Sequence, residues 1–303
     1  MTSAEKNARL RELLRGEEIV TAPGCHDGLT ARLVQQNGFP VCYMGGNGTM
    51  ASYLGIPDIG IGTATEMITR ARYLASVLDI PLVCDADTGY GDVTSVIRTV
   101  RDYEAAGVSG IHIEDQVMPK KCGAMEGVTV VPAEEICAKI RAACDARRDP
   151  NFMIIGRTDS FNTMGVEETI RRCKLFWDVG ADMLMPENLV RREDVAHVAR
   201  ELTRYRSPYR EDRPIVMYDV AEFTEGQIFS DRELQEMGYK FVIHPLGSIL
   251  LEARVMNEYY VAYREKGTTR DLFLQGRFED RRAYQDILGY TEYMRLRETY
   301  KAR

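Results

Sequence analysis

No stretch of this 303-residue sequence stays apolar for the ~20 residues that a membrane-spanning helix needs, so a membrane role is not expected. No block of lysines and arginines stands out, and the formal net charge is -7, which argues against nucleic acid as a partner. The seven cysteines are scattered, and no pair forms Cys-x-x-Cys. That pattern excludes a disulfide framework and points to buried thiols in a reducing, cytoplasmic compartment. No cluster of histidine and cysteine has zinc spacing. The opening stretch "MTSAEKNARLRELL" has no apolar core of a secretory signal, so none is expected. Internal repeats and low-complexity segments are also missing.

What is present is a rhythm. Eight short apolar runs recur at 18–23, 41–46, 81–87, 109–115, 152–159, 182–188, 214–220 and 240–246. Amphipathic segments lie between them, at 64–78, 92–106, 133–147, 165–179, 191–204 and 230–238. Asp and Thr precede the amphipathic segments as N-caps, and Gly precedes the next apolar run as a C-cap. Eight strands alternating with helices predict an α/β fold of the (β/α)8 TIM-barrel type. A doubly wound open sheet is the competing architecture, disfavoured by the strand count and by the missing dinucleotide fingerprint. The expected organisation is one domain, with a barrel core over 1–248 and an eighth helix plus helical extension over 249–303. In the extension, "FEDRRAYQDILGYTEYMRLRETY" reads as one helix carrying Tyr284, Ile287, Leu288, Tyr290, Tyr293, Met294 and Tyr300. That is more apolar surface than a solvated tail exposes, so it is expected to pack on its own barrel or on a neighbouring subunit.

In such a barrel the chemistry sits where strands end and loops begin. "PLVCDADTGYG" (81–91) puts Asp85 and Asp87 at one strand end. Other ends supply Glu114 and Asp115, Arg157 and Asp159, Glu187 and Asn188, and Asp219, with Asp58 after the second strand. So many acids on one rim repel unless a cation compensates. A hard divalent metal such as Mg²⁺ takes oxygen ligands and keeps several waters. The Asp85–Asp87 pair is therefore expected to hold a metal, directly and through water. A single Asp at a strand end also serves as a helix N-cap, and that reading stays open for Asp115 and Asp159. His112, inside an apolar run, reads as a core histidine, whereas His26 and His244 stay open as ligands.

The loop "VMPKKCGAMEG" (117–127) sets Cys122 beside Lys121 among glycines. A neighbouring ammonium favours thiolate, which suits a cysteine to acid–base work near neutral pH. The turn "YMGGNGTMAS" (43–52) has the glycines to expose backbone N–H groups toward carboxylate or phosphate oxygens.

Together, "CDADTGYG", "GIHIEDQVMPKKCG", "IIGRTDS" and "LGIPDIG" resemble the isocitrate lyase and phosphoenolpyruvate mutase superfamily. The texture is nearest the methylisocitrate, dimethylmalate and oxaloacetate-cleaving branches. The resemblance implies Mg²⁺ or Mn²⁺, a mobile gating loop, and a homotetramer of dimers that exchange the eighth helix. It implies Asp85 as direct metal ligand, with Asp58, Asp87 and Glu114 holding the metal's waters. Arg157 and Glu187 would lie near the oxygen of the scissile centre. Tyr43, Gly45 and Gly46 would bind a carboxylate, and Cys122 would be the acid/base with Lys121 beside it. The implied reaction is cleavage of a small di- or tricarboxylic 2-hydroxy acid to a 2-oxo acid and a carboxylic acid. The alternative is an oxaloacetate-type hydrolase or decarboxylase on the same metal. A Schiff-base aldolase lacks its strand lysine, since Lys240 lies at the wrong end of its strand. A non-catalytic scaffold has no reason to retain the acids. Three departures concern specificity: Ala124 stands where lyases have His, Gly45 where Ser is usual, and Asp219 and Ala221 where Asn and Thr are usual. They imply a leaving acid smaller, less charged or more apolar than succinate.

Overall fold

The computed structural model describes residues 1–123, 125, 127–222 and 228–301. Its eight strands fall inside the eight apolar runs: β1 (Val20–Pro23), β2 (Cys42–Met44), β3 (Leu82–Asp85), β4 (Gly110–Glu114), β5 (Met153–Thr158), β6 (Met183–Pro186), β7 (Met217–Asp219) and β8 (Phe241–His244). All pairings are parallel, in one sheet ordered β2-β3-β4-β5-β6 and another ordered β1-β8-β7. Single parallel bridges, Gly24 to Tyr43 and Leu184 to Val216, bring the two sheets edge to edge. Strands buried on both faces explain why they read as continuous apolar runs rather than alternating ones.

Three of the six amphipathic segments begin on a side-chain cap, whereas the helices starting at Ala133, Val166 and Arg192 have none. Thr63 with Glu66 and Ser230 with Glu233 form capping boxes, and Asp92 caps the helix Val93–Ala105. Gly238 ends its helix in the left-handed region, with φ 107, where a Cβ would be strained.

Alternate strand residues divide between two apolar clusters. Met44, Leu82, Cys84, Ile111, Ile113, Ile154, Leu184 and Val242 pack with the surrounding helices. Their neighbours, including Ala22, Tyr43, Val83, Met153, Ile155, Met183, Met185, Met217, Phe241 and Ile243, form an inner cluster with Leu10 and Leu14 of the N-terminal helix. The period of two then carries that inner face onward to Asp85, Glu114, Arg157, Glu187 and Asp219. The strand-end acids are the polar last layer of an apolar core.

The C-terminal region departs from expectation in one place. The single helix expected over 278–300 is two, Arg281–Ile287 and Tyr290–Thr299, separated at Gly289 with φ 75. The helix after β8, Gly247–Lys266, has no buried residue.

Candidate active site

Asp85 is 4% exposed, and each oxygen of its carboxylate has a backbone donor. Gly46 N–H donates to Oδ2 at 3.1 Å and Asp87 N–H to Oδ1 at 2.8 Å. Burial alone would raise its pKa, but His112, Lys120 and Arg157 pull it well below the usual carboxylate range. One N–H of the Gly-rich turn is thereby committed to Asp85. A Cβ on Gly46 would lie 2.8 Å from Asp85 Oδ2, 3.1 Å from Asp58 Oδ2 and 3.2 Å from Lys120 Nζ, so only glycine fits this cradle. Asp87 takes φ 48, a left-handed conformation uncommon outside Gly, Asn and Asp. Burial pushes its carboxyl up to about 6, against the pull of Lys120.

The lysine that reaches the strand-end acids is Lys120, which the sequence did not single out. Lys120 Nζ lies 2.7 Å from Asp58 Oδ1 and 2.6 Å from Asp87 Oδ1, with the residue 2% exposed. Burial disfavours its charge, yet Asp87, Asp85, Glu114 and Asp58 outweigh that and hold it protonated. The backbone of Lys121 is held by Gln116. Its N–H donates to Gln116 Oε1 and its carbonyl accepts from Gln116 Nε2, both at 2.9 Å. Cys122 follows, partly exposed, its N–H donating to the Asp58 carbonyl at 2.9 Å. Gly123 packs so closely that a Cβ there would fall 2.7 Å from Arg157 Nη2.

Arg157 is clamped by Asp159, at 2.9 Å from Nε and 2.8 Å from Nη2, and lies 3.4 Å from Glu114 and 4.0 Å from Glu187. Asp159 is thus no helix cap. Asp115 is not one either: it accepts from Thr158 Oγ1 at 2.6 Å, Asp159 N–H at 2.9 Å and Arg172 Nη1 at 3.0 Å. His112 is buried, as expected, but not bland. Its Nε2 is 2.8 Å from the Tyr43 hydroxyl, and its Nδ1 3.6 Å from Asp85 Oδ1. Burial lowers its pKa to about 4, so the ring is neutral at pH 7. The alternation along β4 signals this, since His112 shares a face with Glu114. His26 and His244 are drawn elsewhere: His26 Nε2 pairs with Glu252 at 2.5 Å, and His244 Nε2 with Asp231 at 3.4 Å.

A cavity of about 50 Å³ gathers most of these groups. Tyr43, Gly45, Gly46, Asp58, Asp85, Lys120, Cys122, Arg157, Glu187 and Asp219 line it, with Ala221, Pro245 and Leu246 as an apolar side. Lys121 is not among the lining residues. A Cβ on Gly45 would sit 3.1 Å from Tyr43 Cε1, so a serine there would crowd the ring. Ala124 lies outside the described residues.

The donor set fits a hard divalent cation. Asp58, Asp85, Asp87 and Glu114 offer only oxygens, and neither oxygen of the buried Glu114 has a hydrogen-bond partner. Among the described residues no three acids, histidines or cysteines are gathered at direct-ligand spacing.

With this geometry in view, the comparisons are specific. The family described as phosphoenolpyruvate phosphomutase matches residues 10–261. The chain belongs to that family. Within its wider isocitrate lyase/PEP mutase superfamily, the chain is 39% identical to 2,3-dimethylmalate lyase of Eubacterium barkeri, over 86% of this chain and 87% of that protein. It is 35% identical to 2-methylisocitrate lyase of Aeropyrum pernix, over 94% and 87% respectively. Among solved structures, oxaloacetate acetylhydrolase in complex with 3,3-difluorooxalacetate matches with TM-score 0.88 and 30% identity, covering 99% of this chain and 98% of the other. A phosphonopyruvate hydrolase, solved with oxalate and Mg²⁺, matches with TM-score 0.83 and 25% identity over the whole of both chains.

Proposed function

We propose that this chain is a metal-dependent carbon–carbon lyase. It cleaves a 2-hydroxy acid of the substituted malate or methylisocitrate class to a 2-oxo acid and a carboxylic acid. The observation that carries the reading is Cys122 on the wall of the acid-lined cavity, tethered through its N–H to Asp58 at 2.9 Å. A thiol on that wall would lie beside the groups that would hold the reacting acid. Asp85, Asp58, Asp87 and Glu114 would hold Mg²⁺ or Mn²⁺, which supplies Lewis acidity for a 2-hydroxy carboxylate.

This chain's own residues do the rest. Tyr43 and the Gly45–Gly46 turn orient the substrate carboxylate, and Tyr43 is itself fixed by His112. Arg157, held in one orientation by Asp159, stabilises negative charge on the substrate oxygen as the carbon–carbon bond breaks. The hydroxyl proton leaves to the rim carboxylates, the oxygen's electron pair forms the new carbonyl, and the bond's electrons pass to the departing carbon. Cys122 gives that carbon its proton. Lys120 balances Asp58 and Asp87, while Lys121 serves the loop.

The likeness to oxaloacetate acetylhydrolase favours one second reading, a hydrolase or decarboxylase of oxaloacetate-type acids on the same residues. Product analysis over alkylmalates, methylisocitrate and oxaloacetate, with and without chelator, decides between the two.

The assembly belongs to the same reading. The two single bridges support one closed (β/α)8 barrel. The helix Gly247–Lys266 leaves Leu251, Val255, Tyr260 and Tyr263 exposed, while a groove at Leu33, Val34, Phe39 and His244 stays open beside β8. A second copy exchanging this helix would cover both surfaces, giving the dimer from which a homotetramer is built. No helix among the described residues is long and apolar enough to cross a membrane, and the scattered cysteines of the sequence support a cytoplasmic enzyme.

A further inference from the structure

His26 lies in the loop that follows β1, is 1% exposed, and has no part in the chemistry above. A buried imidazole needs partners for its ring nitrogens, and here both come from the start of the helix Gly247–Lys266. Nε2 is 2.5 Å from Glu252 Oε2, and Nδ1 is 3.3 Å from Ser248 Oγ. The Glu252 carboxylate can only accept, so Nε2–H donates to it. Ser248 Oγ also donates to the Gly24 carbonyl at 3.0 Å. These bonds fasten a helix that has no buried residue of its own.

The same residue backs the glycine-rich turn after β2. Its carbonyl accepts from Ser52 Oγ at 3.1 Å, and a Cβ on Gly48 would meet its Cβ at 3.4 Å. Gly48 lines the cavity with Gly45 and Gly46. The His26 loop is in turn locked to β2, Cys25 N–H donating to the Tyr43 carbonyl at 2.8 Å. A turn with glycine at 45, 46 and 48 has wide conformational freedom, so its order comes from what it leans on.

We infer that His26 is a positioning residue: Glu252 and Ser248 of the helix Gly247–Lys266 fix His26, and His26 fixes the turn that receives the substrate carboxylate. The inference rests on the role proposed for that turn in the lyase reading. His26 touches no reacting atom. Releasing its ring lets the turn sample other conformations and weakens binding of substrate and transition state alike. Such a loss raises KM and leaves kcat nearly unchanged.

The test compares wild type with His26→Ala, His26→Gln and Glu252→Ala, all with Mg²⁺. It combines kinetics on 2,3-dimethylmalate with amide hydrogen exchange over residues 44–54. His26→Ala and Glu252→Ala are each expected to raise KM about tenfold, the worth of one hydrogen bond to a charged group, with kcat little changed. Both are expected to speed exchange over 44–54, although Glu252 lies on another element. His26→Gln, whose amide can donate to Glu252 as Nε2 does, is expected to restore both readouts. The double variant His26→Ala/Glu252→Ala is expected to be no worse than His26→Ala. Glu252 is half-exposed, so its variant carries the test if His26→Ala does not fold. Unchanged exchange over 44–54 in Glu252→Ala overturns the inference. So does an unchanged KM, a loss confined to kcat, or a His26→Gln enzyme no better than His26→Ala. If wild type does not cleave the malate, the lyase reading fails instead, and the exchange measurement alone decides whether the helix holds the turn.

Discussion

At the scale of single residues, the site is held by groups whose charge depends on their neighbours. Lys120 is the sharpest case, a buried ammonium between Asp58 and Asp87. Removing one partner of a buried ion pair leaves the other charge uncompensated, at about 3–5 kcal/mol. Lys120→Met is therefore expected to lower stability in denaturant melts of chelated protein by about that amount, with partial recovery on adding Mg²⁺. An unchanged melt would refute the assignment. The sequence could mark "KKCG" as a candidate chemical loop but could not say that Lys120 reaches Asp58 and Asp87, because a loop has no fixed periodicity. Strand positions are more legible. Asp85, Glu114, Arg157, Glu187 and Asp219 share the alternate positions that face inward, and the same rule applied to β4 places His112 with them. The pairings of Asp115 and Asp159 were not legible, since they cross between strands and a helix whose relative placement no local pattern encodes.

At the scale of elements, the chemistry depends on a loop being held against a strand end. Gln116 carries much of that task, donating to and accepting from the Lys121 backbone at 2.9 Å each. Each neutral hydrogen bond contributes on the order of 1 kcal/mol. Gln116→Met removes both and is expected to reduce kcat about tenfold with KM less affected. Faster proteolysis within the 117–127 loop should accompany it. A variant with the wild-type kcat and proteolysis pattern would show that the loop needs no such anchor. The strands and six flanking helices were readable because apolar runs alternate with amphipathic segments, and glycines such as Gly107, Gly180 and Gly238 close helices ahead of the next strand. The break at Gly289 was missed because the apolar side chains on either side continue at helical spacing across it.

At the scale of the whole molecule, the α/β core buries its apolar residues and the C-terminal helices do not. Phe273, Leu274, Tyr293 and Tyr300 are 69%, 74%, 64% and 81% exposed, more apolar surface than a solvated tail retains. Truncation before Phe278 is expected to give smaller oligomers or insoluble protein on a sizing column with light scattering. A soluble, fully active monomer would contradict the exchanged-helix assembly. The sequence signalled this surface by composition, but a covering surface in another copy, as proposed, would leave no pattern within one chain. The central claim, that this fold breaks a carbon–carbon bond and reprotonates the departing carbon from Cys122, is tested most directly by product analysis in deuterated water. Wild type and Cys122→Ser are compared on a substituted malate with Mg²⁺ present. The account predicts a 2-oxo acid and a carboxylic acid carrying one deuterium at the released carbon, with cleavage slowed ~10²–10⁴-fold in Cys122→Ser. A Cys122→Ser enzyme that cleaves at the wild-type rate would contradict it.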